Sequence, residues 1–181
     1  LCNLYGLDTV ANYWEQVLFM NDWQRNRISS LVVKKLFGTV SLKKILVLGF
    51  AFKANTNDTR ESAASYITKD LIENGAKLLI HDPQVSAEQI EISIGIDIAT
   101  DIDNLDEGGW IYINKLNEII YQVDAVLVLT EWEEYKDIDW RKFADLMRKP
   151  SWVFDTRSIL DKKMITNHDM NLWSIGDGTT N

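Results

Sequence analysis

The chain has 181 residues, of which 46% are hydrophobic and 25% charged, so it has the composition of a globular protein with one core. Its formal net charge of −8 argues against nonspecific DNA or RNA binding, but a few Lys or Arg side chains in one cleft could still hold an anionic small ligand. Cys2 is the single cysteine, and no apolar run approaches the ~20 residues of a membrane span. We therefore expect a cytoplasmic protein that binds neither nucleic acid nor membrane.

One long helix is predicted over residues 8–37, because no Pro or Gly interrupts the segment before Gly38 and because Asp8 or Thr9 can act as its N-cap. Roughly 30 residues at 1.5 Å each give about 45 Å, longer than a small domain requires. A helix of this length usually joins two domains or packs against a second subunit. The alternative is a core helix with two polar residues near its surface. The apolar stripe consists of Val10, Trp14, Val17, Ile28 and Leu31.

Short apolar runs separated by helical patterns follow Gly38. The runs predict buried strands at residues 44–48, 77–80, 124–129, 152–154 and 172–175. Between them, residues 62–74 and 140–148 have the pattern of amphipathic helices. Alternating strands and helices imply right-handed crossovers. We therefore predict an α/β fold, a Rossmann-like parallel sheet with helices on both faces, preceded by one long N-terminal helix.

Residues 84–112 do not fit this rhythm. They are acidic, with apolar residues at alternate positions and a turn signal, Asp-Glu-Gly-Gly, near their end. We expect an insertion at the rim of the sheet with a short strand or none. The predicted domains are residues 1–38, a central helix for interdomain or dimer contacts, and residues 39–181, a ligand-binding Rossmann-like domain.

The loop after the first strand is where a doubly wound sheet binds its ligand. It reads GFAFKANTNDTRES and lacks G-x-G-x-x-G, because Gly49 is its single glycine, so a dinucleotide pyrophosphate pressed against this turn is not supported. Asp58-x-x-Glu61 resembles a capping box, which would start a helix near Thr59 and place Arg60 in its first turn. A cation beside free backbone N–H groups indicates a bound phosphate.

Further charged residues on the same rim leave alternatives open. Lys53 could add a second charge to a phosphate site, or both Lys53 and Arg60 could be solvated or paired with neighbouring carboxylates. Arg157 follows the fourth strand and could converge with Lys53 on one ligand, or could pair with Asp155 at the surface. The Glu residues of the turn Thr130-Glu-Trp-Glu-Glu could be an acid/base pair or a solvated cluster. His81 and His168 do not indicate a metal site.

Several segments together resemble UDP-glucose 6-dehydrogenases of the UDP-glucose/GDP-mannose dehydrogenase family. ILVLGFAFKANTNDTRES is similar to the family's GFAFK…DTRES segment, and HDP, LTEW and FDTRSILD are similar to three later motifs. ANYWEQVLFMNDWQRNRI resembles the central helix that joins the family's two Rossmann-like domains and forms the dimer contact. The resemblance covers nearly the whole chain, which corresponds to the last two-fifths or so of such an enzyme.

The resemblance implies roles for four residues. Phe52 and Lys53 would contact the UDP-sugar, Arg157 would reach the sugar nucleotide, and Arg60 would reach the diphosphate of NAD, which the family's other domain mainly holds. Thr156 departs from the pattern, since the family usually has Gly there.

The family oxidises the 6-hydroxyl of UDP-glucose to a carboxylate, with two NAD, through a thioester on a Cys in a GGSCF-type motif. Neither that motif nor G-x-G-x-x-G occurs in these 181 residues. We therefore expect a C-terminal fragment with no catalytic residue and no metal, inactive alone, and a homodimer or higher oligomer through its first helix. The alternatives are a GDP-mannose or UDP-acetamidosugar 6-dehydrogenase, a non-catalytic nucleotide-sugar-binding module, and an NAD-binding oxidoreductase domain.

Overall fold

A computed structural model describes residues 1–116 and 122–178. No helix in this part of the chain is long and apolar enough to cross a membrane. The predicted domain range 39–181 includes residues outside the described part. The helices are α1 (Asp8–Lys35), α2 (Ala63–Glu73), α3 (Ala87–Ile94), α4 (Trp140–Leu146) and α5 (Lys162–Thr166). The strands are β1 (Lys44–Leu48), β2 (Lys77–His81), β3 (Gly109–Tyr112), β4 (Ala125–Val128), β5 (Trp152–Asp155) and β6 (Asn171–Ser174).

The six strands form one sheet in the order β3-β2-β1-β4-β5-β6, and every pairing is parallel. The two central strands consist of continuous apolar runs because both faces of a parallel sheet are covered. The chain proceeds outward from β1 to β3 and then returns to place β4 on the other side of β1. Strand order therefore reverses between β1 and β4, and ligands bind at the carboxyl edge of such a point.

Helices cover both faces of the sheet, as predicted. Right-handed crossovers that run in opposite directions from the centre put α2 and α3 on one face and α4 and α5 on the other. Helix α1 packs against α2. The structure confirms the Rossmann-like parallel sheet preceded by a long helix.

Helix α1 crosses the sheet from the carboxyl ends of the strands toward their amino ends. Ile28 lines a cavity with Leu129 and Thr156, which follow β4 and β5, whereas the Lys35 ammonium lies 5.2 Å from the ring of Trp152 at the start of β5. The first four turns of α1 therefore project past the carboxyl edge. This projecting part carries exposed apolar side chains, among them Val10, Tyr13, Trp14, Val17, Leu18, Phe19, Met20 and Trp23.

The N-cap prediction for α1 is wrong. The helix begins at Asp8 itself, and Leu7 occupies the cap position without a side-chain hydrogen bond. The predicted stripe is buried only in its second half, at Ile28 and Leu31, because the first half lies beyond the sheet.

Residues 84–112 hold more regular structure than the sequence indicated. They contain α3, which begins with a capping box between Ser86 and Gln89, and β3, a short strand paired with β2 at the edge of the sheet. The segment thus completes a β2-α3-β3 crossover, and the prediction that it departs from a βαβ rhythm is wrong. The short strand at the rim is present.

Candidate functional site

The loops after β1 and β4 meet at the point where strand order reverses. Gly49 follows β1 with φ of +91°, and a Cβ atom there would lie 2.4 Å from Cβ of Thr130. A side chain at position 49 would collide with the loop after β4, so glycine permits both the backbone conformation and the contact. The backbone of the loop after β1 is thus packed directly against Thr130.

Asp82, the residue after β2, is a buried carboxylate that three loops share. Its side chain accepts five hydrogen bonds: Oδ2 from the backbone N–H groups of Phe50 and Ala51 and from Nε1 of Trp132, and Oδ1 from the N–H groups of Gln84 and Val85. The residue is 1% exposed, so these donors replace water around the charge. The sequence showed Asp82 only as part of the HDP strand end.

Phe52 and Lys53 stand at the outer end of this loop. The N–H group of Phe52 donates to the carbonyl of Asp58, and Phe52 is 51% exposed. Lys53 is also exposed, and among the described residues it forms no ion pair. The loop therefore presents one aromatic ring and one unneutralised ammonium at the carboxyl edge.

The capping-box prediction is wrong, because α2 begins at Ala63, three residues after Arg60. Ser62 caps α2, with its hydroxyl accepting from the N–H of Ala64, and Glu61 has φ of +54°, which excludes it from the helix. Arg60 therefore lies in the loop before α2 and not in its first turn.

Arg60 pairs with Asp58, one of the alternatives that the sequence left open. Nε and Nη2 donate to the two carboxylate oxygens at 2.9 and 2.8 Å. These hydrogen bonds lower the pKa of Asp58 from 3.8 to about 2 and raise the pKa of Arg60. The Arg60 side chain is 88% exposed, so it points into solvent and remains able to meet a ligand from outside the chain.

Arg157 lies across the end of β4. Its Nε donates to the carbonyl of Leu129 at 2.7 Å and lies 3.3 Å from Oε2 of Glu131. Asp155 does not pair with the guanidinium; it accepts from the backbone N–H groups of Arg157 and Leu160 and so fixes the turn after β5. The sequence did not indicate that Glu131 is the carboxylate beside Arg157.

Thr156, where the resemblance favours Gly, is accommodated without strain. Its hydroxyl donates to the carbonyl of Val128 at 2.7 Å, and its φ is not positive. The side chain lines a cavity of about 160 Å³ together with Arg157. The other walls of this cavity are Gln24, Arg25, Ile28, Ala63, Ile67, Leu129 and Ile175.

A second cleft, of about 480 Å³, opens between the loops after β1, β2 and β4. Ala54 and Asn55, next to Lys53 in the chain, form one wall, and Glu131 forms part of another. Because Glu131 also contacts Arg157, the loop of Lys53 and the side chain of Arg157 lie at one edge with Glu131 between them. Arg60 borders a different cleft, beside α2 and α3.

His81, Tyr135 and Glu134 form a polar cluster next to the same edge. The hydroxyl of Tyr135 lies 3.1 Å from both Nδ1 and the carbonyl oxygen of His81, and His81 Nε2 is 3.8 Å from Glu134 Oε1. Burial lowers the pKa of His81 and raises the pKa of Glu134 and Tyr135. Within residues 1–116 and 122–178, no group of three His, Cys, Asp or Glu side chains could hold a metal ion.

The fold is that of a Rossmann-like domain whose turn after β1 lacks the G-x-G-x-x-G motif. Its carboxyl edge carries Lys53, Arg157 and the exposed ring of Phe52. Residues 46–162 match the sequence profile described as the UDP-glucose/GDP-mannose dehydrogenase family, UDP binding domain. This match covers more than half of the chain, and the chain belongs to that family.

Similar proteins agree with this assignment. The chain is 42% identical over 162 residues to UDP-glucose 6-dehydrogenase of Pongo abelii, a match that covers 89% of this chain and 32% of that protein. It is 38% identical over 185 residues to UDP-glucose 6-dehydrogenase 4 of Arabidopsis thaliana, covering 97% and 38%. The chain thus spans about a third of the length of these relatives.

Solved structures support the fold. A UDP-glucose dehydrogenase from Pyrobaculum islandicum superposes with a TM-score of 0.69 at 24% identity, over 96% of this chain and 33% of that one. A UDP-D-ManNAc dehydrogenase from Pyrococcus horikoshii superposes with a TM-score of 0.58 at 22% identity, over 82% and 29%.

Proposed function

We propose that this chain is the sugar-nucleotide-binding part of a UDP-glucose 6-dehydrogenase, an enzyme that oxidises UDP-glucose to UDP-glucuronate with two NAD. The observation that carries the proposal is the rim itself: Lys53 and Phe52 on one loop and Arg157 on a second, at the carboxyl edge of a domain that belongs to this family. The relatives at about 40% identity carry the name of this enzyme, which favours UDP-glucose over other nucleotide sugars.

Each of the three residues contributes a different interaction. The ammonium of Lys53 suits a diphosphate, because it is a compact positive charge with three N–H donors on a flexible stem. The exposed Phe52 ring offers an apolar surface to the sugar or base. The Nε–H group of Arg157 donates to the carbonyl of Leu129. The two outer nitrogens of its planar guanidinium can then donate to hydroxyl or phosphate oxygens of a ligand.

NAD does not fit the central turn of this chain, since Gly49 is packed against Thr130 and the turn has no further glycine. Arg60 fits a different role. Its exposed guanidinium can meet the diphosphate of an NAD molecule that is held mainly by another domain. NAD would supply the hydride acceptor, and the residues of this chain bind and orient the sugar nucleotide beside it.

The chain by itself is expected to bind without turnover. Its one cysteine, Cys2, lies in Leu-Cys-Asn and not in a GGSCF-type motif, so the 181 residues hold no candidate for the thioester nucleophile. We further propose a cytoplasmic homodimer or higher oligomer in which the projecting part of α1 is covered. Its exposed aromatic and aliphatic side chains support that proposal.

The direct test is calorimetry of the 181-residue chain with UDP, UDP-glucose, GDP and NAD. UDP and UDP-glucose should bind, and Lys53→Ala should weaken both by about tenfold, or ~1.4 kcal/mol, because one charge-assisted contact is lost. Lys149→Ala is the matched control, since Lys149 pairs with Asp169 at the amino end of the sheet. Tighter binding of GDP would favour the GDP-mannose enzyme, and tighter binding of NAD would contradict the proposal.

A second test concerns turnover. The chain, mixed with UDP-glucose and NAD, should produce no NADH above a protein-free blank. NADH formation that depends on this chain would refute the expectation that it only binds.

A further inference from the structure

Side chains form hydrogen bonds with every backbone polar group of the two residues before Phe52. Phe50 and Ala51 each have one N–H and one carbonyl, and all four groups are hydrogen-bonded to Asp82, Ser62 or Thr130. We call these three side chains the loop clamp. Backbone polar groups in a loop are normally bonded by other backbone groups or by water, so four successive side-chain partners are unusual.

The members of the loop clamp come from three separate segments. Asp82 follows β2, and its Oδ2 accepts from both N–H groups at 2.7 and 3.0 Å. Ser62 is the N-cap of α2, and its hydroxyl donates to the carbonyl of Phe50 at 2.8 Å. Thr130 follows β4, and its hydroxyl donates to the carbonyl of Ala51 at 2.7 Å.

Every component of this arrangement is buried. Asp82 is 1% exposed, Ser62 2% and Thr130 0%, and the two clamped residues are equally inaccessible. In such an environment the hydrogen bonds have no competition from water, and an unpaired group would be costly. The backbone that leads into Phe52 is therefore fixed in one position.

Phe52 follows this restrained backbone directly. Its ring is 51% exposed, and its N–H is tied to the carbonyl of Asp58. Lys53 is the next residue, so the clamp also sets the origin of its side chain.

We propose that Asp82, Ser62 and Thr130 are positioning residues that hold Phe52 and Lys53 in the geometry that binds a nucleoside diphosphate. The proposal rests on the proposed function, since it concerns the same rim. It assigns one joint role to one residue from each of three sequence motifs, HDP, DTRES and LTEW. All three side chains are buried, so their role is exerted through Phe52 and Lys53 and not by contact with the ligand.

The sharpest test uses two matched pairs of variants. Thr130→Val removes the hydroxyl and keeps the shape, whereas Thr130→Ser keeps the hydroxyl. Asp82→Asn leaves one acceptor oxygen for two sets of donors, and Asp124→Asn makes the same change at the amino end of the sheet, where Asp124 accepts from Lys44 N–H and Arg148. Circular dichroism establishes a temperature at which every variant is folded, and calorimetry there gives the affinity for UDP and for uridine.

The ratio of the two affinities separates positioning from general stability. Uridine lacks the phosphates that Lys53 is proposed to meet but can still contact the Phe52 ring, so displacement of the loop should weaken UDP by about tenfold more than it weakens uridine. We expect this change in Thr130→Val and Asp82→Asn, and wild-type ratios in Thr130→Ser and Asp124→Asn.

Two results would overturn the proposal, and they are distinguishable. If the wild-type chain binds UDP and loses affinity on Lys53→Ala, but Thr130→Val and Asp82→Asn bind UDP normally, the loop clamp has no positioning role while the proposed function stands. If the wild-type chain does not bind UDP, both fail together.

Discussion

The Nε atom of Arg157 lies 3.3 Å from Oε2 of Glu131, an oxygen that is buried and has no hydrogen bond of good geometry among the described residues. The guanidinium that is proposed to meet an anionic ligand is therefore partly neutralised by a carboxylate of its own chain. Nε is held independently by the carbonyl of Leu129, so the position of Arg157 does not depend on Glu131 alone.

Glu131→Gln should consequently strengthen UDP binding. Removal of the carboxylate charge next to Arg157 raises the local positive potential, and we expect a gain of about two- to fivefold, or ~0.4–1 kcal/mol, that diminishes as salt is added. Glu133→Gln is the control, because Glu133 pairs with Lys136 at an exposed position. Calorimetry at low and moderate salt measures both. Weaker binding in Glu131→Gln would mean that the carboxylate orients Arg157 more than it neutralises it.

Gly49→Ala should destabilise the fold far more than a glycine substitution at another left-handed position. At Gly49 the new methyl carbon meets Thr130 Cβ at 2.4 Å, so overpacking of ~1–3 kcal/mol is added to the backbone strain of ~1 kcal/mol or more. Gly95, with φ of +73°, has nothing within 4 Å, and Gly95→Ala isolates the strain alone. Urea denaturation compares the two. Equal losses would show that the loops after β1 and β4 separate easily.

The stability of the chain should fall as the pH is lowered through about 6.5. Burial holds the pKa of His81 below its unfolded value, so the unfolded chain binds an extra proton in this range and the free energy of unfolding decreases with decreasing pH. The slope contributed by one such group is at most ~1.4 kcal/mol per pH unit. The groups that face it are Glu134, Tyr135 and the neighbouring Asp82, and the raised pKa of Glu134 gives a contribution of opposite sign.

Substitution of the buried histidine assigns this pH dependence. His81→Gln should flatten the curve of unfolding free energy below about pH 6.5. Chemical denaturation across that range is the measurement. A curve that persists in His81→Gln would assign the dependence to another group.

Arg60 and Asp58 provide a prediction that separates the two proposed ligands. The Asp58 carboxyl should titrate near pH 2, and Arg60→Ala should return its midpoint toward 3.8, because the guanidinium hydrogen bonds that favour the ionised form are lost. Carbon NMR of the carboxyl follows this. The same variant should bind UDP with wild-type affinity, since Arg60 is assigned to the NAD diphosphate. A loss of UDP binding would place Arg60 at the sugar-nucleotide site.

The strands of the central sheet could be predicted from the sequence because both faces of a parallel sheet are buried. Such strands consist of continuous apolar residues, as residues 45–48 of β1 do. Helix α3 is not predicted, for a related reason. Ile90, Ile92 and Ile94 alternate with polar residues as in a strand, yet the segment is a helix in which Ile90 and Ile94 face the core and Ile92 is 76% exposed. Three residues cannot distinguish a period of two from a spacing of four.

The charged residues of the rim were predictable, but their partners were not. Strand ends of a parallel sheet share one edge, and this rule alone is enough to bring Lys53 and Arg157 to the same side of the domain. The loop clamp depends on contacts between residues separated by 12, 32 and 79 positions, and nothing local in the sequence records them. The predicted start of α2 is misplaced because the buried Ser62 hydroxyl caps the helix in preference to the partly buried Asp58.

The projecting part of α1 stands next to the carboxyl edge of the sheet, where we propose that the sugar nucleotide binds. A second subunit that covered Tyr13, Trp14 and Phe19 would therefore lie beside the strand ends that carry the loops of Lys53 and Arg157. If that subunit also contacts the bound sugar nucleotide, the affinity for the ligand and the affinity for the subunit are thermodynamically linked, and each raises the other by the same factor.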